Sequence, residues 1–423
     1  MKTVLCVAFH FPPSESIAAA RMRGYAKYLP QFGWRPVFLC PRLEARGVSS
    51  FKLWETPYRG DVGERAARSL FRSGATSPAQ GRQEGTATRG ASSVLAAGGR
   101  FLRRIAAIPD PQRSWIRDAA EVGTRKLREE RVDAILSSGP PWSAHLIARV
   151  FKRQSGVPWI AEYRDLWTKS HHYPYGRARL VLDRRIEMRT TRDADLRVTV
   201  SEPLARNLLA IHPQIPVEVI RNGFDPDDVL AADLTDLFTI TYTGRVYWGC
   251  QDPGMLFRAL RDVGDSGALD LSRVRVRFYG PNHAPLRRET QKLGLGGIFE
   301  MGGVVPRDQA LRLQRESQLL LLLNWTDPTQ TGIYTGKLFE YLAARRPILA
   351  IGGGRTVVTE LLENTSAGRH PRSIEGLHDV LCLAFAEYEA SGAVAYHGSS
   401  DLVSQYDQRA MCAKLARALD RVV

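Results

Sequence analysis

Short apolar runs separated by longer, helically patterned stretches dominate the chain. Residues 4–9 (Val-Leu-Cys-Val-Ala-Phe) read as a strand buried on both faces, closed by Pro12-Pro13 and a Ser-Glu-Ser turn. A helix is expected over residues 17–32, stopped by Gly33, and a second strand over 36–40. The same alternation resumes at strand 133–138, helix 143–155, strand 158–163, helix 184–192, strand 196–200, helix 202–211 and strand 217–220. Residues 225–236 carry five aspartates with little periodicity and read as a linker. Beyond it, strands are expected at 239–244, 274–279, 299–301, 319–323 and 347–351, with a last helix at 404–422.

Strand–helix–strand alternation predicts an α/β protein with parallel sheets. The expected architecture is two Rossmann-like, doubly wound domains facing across a cleft: residues 1–228, residues 229–403, and a C-terminal helix 404–423 packing back toward the first domain. Ligands of such sheets bind at the carboxyl ends of the strands. The length of 423 residues suits two or three domains. No apolar run reaches the roughly 20 residues of a membrane span, and the N-terminal run is too short for a signal peptide. The five cysteines are scattered without metal or redox spacing. A cytoplasmic protein is expected.

Charge sharpens the picture. The formal net charge is +15, which calls for an acidic partner without naming it. Between Arg65 and Arg104 lie eight arginines and one acid, Glu84, within a basic insertion spanning about residues 42–108. Val94, Leu95, Phe101, Leu102 and Ile105 interleave with Arg100, Arg103 and Arg104. That pattern fits peripheral binding to an anionic membrane, at the inner face of the cell membrane, or a solvated acceptor loop.

Several segments carry candidate chemistry. Thr335-Gly336 opens a helix over Lys337–Arg345, and free amides at a helix start attract anions. Lys337 stands in the first turn, where the dipole disfavours a cation unless a phosphate offsets it; the alternative is a plain cap with a solvated lysine. Glu340 lies one turn on, within reach of a ribose hydroxyl. Arg245, after Thr243-Gly244, ends a strand where a guanidinium could clamp diphosphate oxygens. Gly280 and Gly302-Gly303 mark further strand ends. Ser16 and Arg21 occupy the first loop and helix. Arg164 and Asp165 follow strand 158–163, as site residues or as a structural pair. His145 reads as a structural helix residue. Asp225-Pro226-Asp227 has D-x-D spacing in a poor setting, and no metal site is expected.

In order along the chain, FHFPPSESIAAAR, PWIAEYRDLW, VSEPLARNLL, VIRNGFD, ITYTGR and GIYTGKLFEYLAARRPILAI resemble a GT-B glycosyltransferase of family 4 type. The resemblance covers nearly all of the chain outside residues 42–108. It implies retaining transfer of a sugar from a nucleotide-diphosphate donor, a UDP or GDP sugar, with no further cofactor and no metal. The basic stretch then suggests a glycan or lipid-linked hydroxyl as acceptor, in cell-surface polysaccharide, lipid-linked glycan or glycoconjugate synthesis. Position and resemblance together give expected donor contacts at Gly244, Arg245, Gly280, Gly332, Ile333, Tyr334, Thr335, Gly336, Lys337, Glu340, Ser16 and Arg21. Catalytic roles fall to Asp165, Arg164, Arg245 and Lys337.

The chain departs from the family's pattern in four places. The first of two glutamates eight positions apart is Gly332 here. The lysine about five residues after Arg245 is missing, as is the glycine pair of the first loop. Arg164-Asp165 stand where many relatives carry a histidine. A nucleotide-sugar epimerase of the same fold stays open as an alternative, because fold alone does not fix chemistry. A nucleic-acid-binding protein is the third reading; charge favours it, but no binding motif does.

Overall fold

The computed structural model describes residues 1–42, 51–61, 107–170, 173–228 and 232–423. These form two compact units. Unit 1 comprises Met1–Val200, Leu204–Val219 and Leu415–Val423; unit 2 comprises Ser201–Pro203 and Ile220–Lys414.

Unit 1 is built on a seven-stranded, all-parallel sheet. Its strands are β1 (Lys2–Ala8), β2 (Trp34–Pro41), β3 (Leu53–Thr56), β4 (Ala134–Gly139), β5 (Trp159–Tyr163), β6 (Leu196–Thr199) and β7 (Val217–Val219). Their order is 3-2-1-4-5-6-7. The helices are α1 (Ile17–Tyr28), α2 (Trp115–Glu129), α3 (Ser143–Ser155), α4 (Arg177–Thr191) and α5 (Glu202–Leu209). Strands β1 and β4 are buried along nearly their whole length, as expected for a parallel sheet covered on both faces. Strand β3 corrects the reading of residues 42–108 as insertion throughout: Leu53–Thr56 pairs with β2 through Phe38–Pro41. The amphipathic residues 94–105 lie outside the described residues.

Unit 2 repeats the plan with six parallel strands: β8 (Phe238–Thr243), β9 (Val274–Tyr279), β10 (Phe299–Gly303), β11 (Leu319–Leu323), β12 (Ile348–Ile351) and β13 (Gly368–Arg369). The order is 10-9-8-11-12-13. Its helices are α6 (Gly254–Asp265), α7 (Ala284–Lys292), α8 (Arg307–Arg315), α9 (Gly336–Ala344), α10 (Val357–Thr365), α11 (Ile374–Ser391) and α12 (Ser400–Ser404). Helix α13 (Gln408–Val422) closes the chain, and its last turns, from Leu415, count with unit 1. The five leucines of β11 are all buried, each worth about 1.5–3 kcal/mol of transfer free energy. In each sheet the strand order reverses beside the first strand of the unit, the place where open α/β sheets generally bind ligands.

Among the described residues no helix is long and apolar enough to cross a membrane.

Candidate functional site

At the carboxyl edge of unit 2, three strand ends pack backbone against backbone. Gly244 N donates to Tyr279 O at 2.6 Å, and Gly280 N donates to Gly303 O at 2.6 Å. A Cβ on Gly280 would stand 2.2 Å from Gly244 O, so this position accepts no side chain. Gly244 has φ +108°, where a side chain is strained, and a Cβ there would lie 3.1 Å from Lys337 Cε and Nζ. Gly244 thus clears a floor for the Lys337 head, and Gly280 lets the Gly244 backbone pack against it.

Lys337 stands in the first turn of α9, half-buried. Its ammonium lies 4.7 Å from the centre of the Tyr242 ring. It makes no ion pair among the described residues. Desolvation pushes its pKa down to about 8, with the charge of Glu340 working in the other direction. Thr335 is the N-cap of α9, but its side chain makes no capping bond, and its buried Oγ1 has no hydrogen-bond partner among the described residues. The first amides of α9 are therefore uncapped by this side chain, no acid sits in the first turn, and the one charge there is positive. Such a helix start favours an anion over a cation.

Glu340 is held from the side. Gln314 Nε2 donates to Glu340 Oε2 at 3.1 Å and to Thr243 Oγ1 at 2.9 Å. Arg307 reaches Glu340 at 3.8 Å and Asp228 at 3.0 Å. The loop before α9 is tied down as well: Gly332 O accepts from Ser201 Oγ at 2.7 Å, and Tyr334 OH accepts from Arg221 Nε at 3.3 Å. Ile333 is half-buried between them. Arg245 is exposed, with its backbone carbonyl fixed by Tyr242 OH at 2.7 Å. Unit 2 thus brings Gly244, Gly280, Lys337 and Glu340 onto one edge, next to Thr335 and Gly336.

Gln314, Arg307, Ser201, Arg221 and Tyr242 were not singled out by sequence. Ser201 and Arg221 fall in the quoted segments VSEPLARNLL and VIRNGFD, and that was the available signal. Gln314 sits in an ordinary helix pattern and offered none.

Unit 1's carboxyl edge carries a different arrangement. Arg21 was expected to face ligand; instead it is buried, and it pairs with Glu162 at 2.9 Å. Glu162 also accepts from Tyr25 OH at 2.5 Å and Ser138 Oγ at 2.6 Å. Burial opposes the charge of Glu162, yet Arg21 and the hydroxyls hold its pKa below the ordinary carboxylate value. Arg21 thus acts as a buried counter-ion to Glu162. Ser16 caps α1, accepting from Ala19 N at 3.2 Å.

Arg164 follows β5. Its Nε donates to Ser138 Oγ at 3.1 Å, and its guanidinium also reaches Pro140 O. Arg164 makes no ion pair among the described residues. Desolvation lowers its pKa, and the charges of Asp165 and Glu162 oppose that. Asp165 is solvent-accessible, but the chain around it is dense enough to raise its carboxyl pKa, with Arg164 pulling the other way. His145 is buried, with Nδ1 2.8 Å from Ser137 Oγ, and desolvation pushes its pKa down to about 3. It is a neutral core histidine. Asp225 accepts from Asp227 N at 3.0 Å in a local turn, and among the described residues no cluster of three or more His, Cys, Asp or Glu is arranged to hold a metal.

A cavity of about 370 Å³ opens at the amino ends of β11, β12 and β13, lined by Leu319, Ile348 and Gly368 among others. None of the residues above lines it.

Three comparisons bear on this geometry. A family model, Glycosyltransferase Family 4, matches residues 77–228. HepE of Anabaena, solved in complex with UDP, superposes at 13% identity with a TM-score of 0.63, covering 100% of both chains. Sucrose-phosphate synthase of Thermosynechococcus elongatus superposes at 12% identity and 0.62, covering 100% of this chain and 99% of the other. A glycosyltransferase of Rickettsia africae gives 14% and 0.60, with 100% and 98% covered. No curated protein sequence matches the chain.

Proposed function

We propose, from the premise that this chain is a glycosyltransferase of family 4 type with the GT-B fold, that unit 2 grips the diphosphate of a nucleotide-sugar donor at the start of α9. One observation carries this reading. Lys337 is a half-desolvated cation without an ion-pair partner among the described residues, placed at the positive end of a helix. Both features cost free energy on their own, and both become favourable once a dianionic group binds.

The roles follow from position. Lys337 and the amides of Gly336 and Lys337 take β-phosphate oxygens, and Arg245, exposed at the end of β8, adds a second cation. Glu340, oriented by Gln314, accepts from ribose hydroxyls. The backbone at Gly280 flanks the base, and Gly332 to Thr335 offer backbone groups to the sugar. The UDP bound to HepE supports a uridine donor.

Chemically, the bond from the sugar C1 to the β-phosphate oxygen breaks and negative charge gathers on that phosphate. Fixed cations and amides aimed there lower the barrier without reorganising. The acceptor hydroxyl forms the new C1–O bond on the face the phosphate leaves, and its proton passes to a β-phosphate oxygen; configuration is then retained. Arg164 and Asp165 hold the acceptor on unit 1. A glycan or lipid-linked acceptor is favoured by similarity to WaaB, described as a lipopolysaccharide outer core galactosyltransferase, at 12% identity and a TM-score of 0.56.

The test is to replace Lys337 and Arg245 separately with Ala and follow donor turnover, after a thermal-shift comparison of UDP, GDP, ADP and their sugars. Near-normal turnover in both variants removes the phosphate site.

A further inference from the structure

Helix α4 is built inside out. Its two acids, Asp183 and Glu187, are both fully buried. Asp183 accepts from Arg179 Nε at 2.8 Å and Tyr173 OH at 2.7 Å, and Glu187 accepts from the Thr168 hydroxyl. Thr190 and Thr191 are buried beside them. The opposite face carries aliphatic side chains in water: Val181 is 54% exposed, Leu182 42% and Met188 39%.

At 100° per residue, Arg177, Val181, Leu182, Arg185, Met188 and Arg189 fall within an arc of roughly 140°. All six are exposed. Arg177, Arg185 and Arg189 form no ion pair among the described residues. A single exposed leucine needs no explanation. Three aliphatic side chains woven among three unpaired arginines, on a helix that hides both its carboxylates, form a surface with one sign of charge and an apolar underside.

We infer that this face of α4 docks on an anionic lipid surface. The aliphatic side chains enter the headgroup–acyl boundary while the arginines stay with the lipid phosphates, their stems lying along apolar surface. A second copy of the same face would set arginine against arginine. A nucleic acid would pair with the arginines but leave Val181, Leu182 and Met188 unused. The inference does not rest on the donor site.

The experiment is flotation of the full chain with phosphatidylcholine vesicles, with and without phosphatidylglycerol, at low and physiological salt. Wild type floats only with the anionic vesicles. Arg185→Gln with Arg189→Gln weakens partitioning by roughly 25-fold, about fivefold per arginine. Val181→Ser with Leu182→Ser also weakens it and leaves its salt dependence in place. Both double variants keep the wild-type circular dichroism and the wild-type thermal shift with UDP, so loss of docking is read apart from loss of donor binding. Failure of wild type to float at low salt overturns the inference. So does unchanged flotation of both variants, or a variant that alters oligomeric mass or RNA binding but not flotation.

Discussion

The carboxyl edges of the two sheets each hold a cation among strand-end turns, and they treat it in opposite ways. In unit 1, Arg21 is buried against Glu162, which also receives Tyr25 and Ser138; the charge is answered from within. In unit 2, Lys337 is drawn from water onto Gly244 and Tyr242 with no ion-pair partner among the described residues, and its pKa falls to about 8. A cation answered internally holds the fold together. One left unanswered marks the proposed diphosphate site.

The comparison breaks most visibly if the two charges respond alike to removal. Glu162→Ala leaves Arg21 buried without a counter-ion and should cost about 3–5 kcal/mol of stability, measured by denaturant unfolding. The same pair gives a pH signature. The pKa of Glu162 is lowered by folding, so its contribution is present above the ordinary glutamate pKa and is lost as pH falls through the folded value. Lys337→Met, in contrast, should leave stability within about 1 kcal/mol and weaken UDP binding and turnover by roughly 100-fold. A Lys337→Met variant that unfolds like Glu162→Ala would erase the distinction.

Smaller effects sharpen it. Glu340→Gln should raise the donor KM by about tenfold, the loss of a charged hydrogen bond, while Gln314→Leu should give a weaker effect in the same direction by releasing Glu340. Finally, UDP affinity should fall as pH rises above about 8, because binding requires the protonated ammonium and burial lowers the Lys337 pKa to about 8. Titration calorimetry should show proton uptake on binding above that pH, and Lys337→Met should abolish it.

Much of this frame was legible in the sequence. Residues 143–155, 274–279 and 319–323 read from their patterns match α3, β9 and β11, because fully buried strands and amphipathic helices announce themselves locally. Strand β3 did not: Leu53–Thr56 is four residues long, mixes Trp54 with Glu55 and Thr56, and gains its identity from pairing with β2. Strand β13 has two residues and no local signal. The Lys337–Glu340 segment was visible because a helix start with a misplaced cation is a local anomaly. Arg21 and Glu162 are far apart in sequence, so their pairing belongs to tertiary structure alone. Gln314 is similarly hidden, identical in pattern to any polar helix residue. Helix α4 shows the sharpest limit. Hydrophobic patterning would turn Val181 and Leu182 inward, but Arg179, Tyr173 and Thr168 supply partners that let Asp183 and Glu187 take the interior.

The most direct measurement is a crystal structure of the chain with UDP. A β-phosphate oxygen should lie about 2.7–2.9 Å from Lys337 Nζ, with others on the first amides of α9 and the ribose against Glu340. A diphosphate bound elsewhere, with Lys337 still lying unengaged over Tyr242, would contradict it.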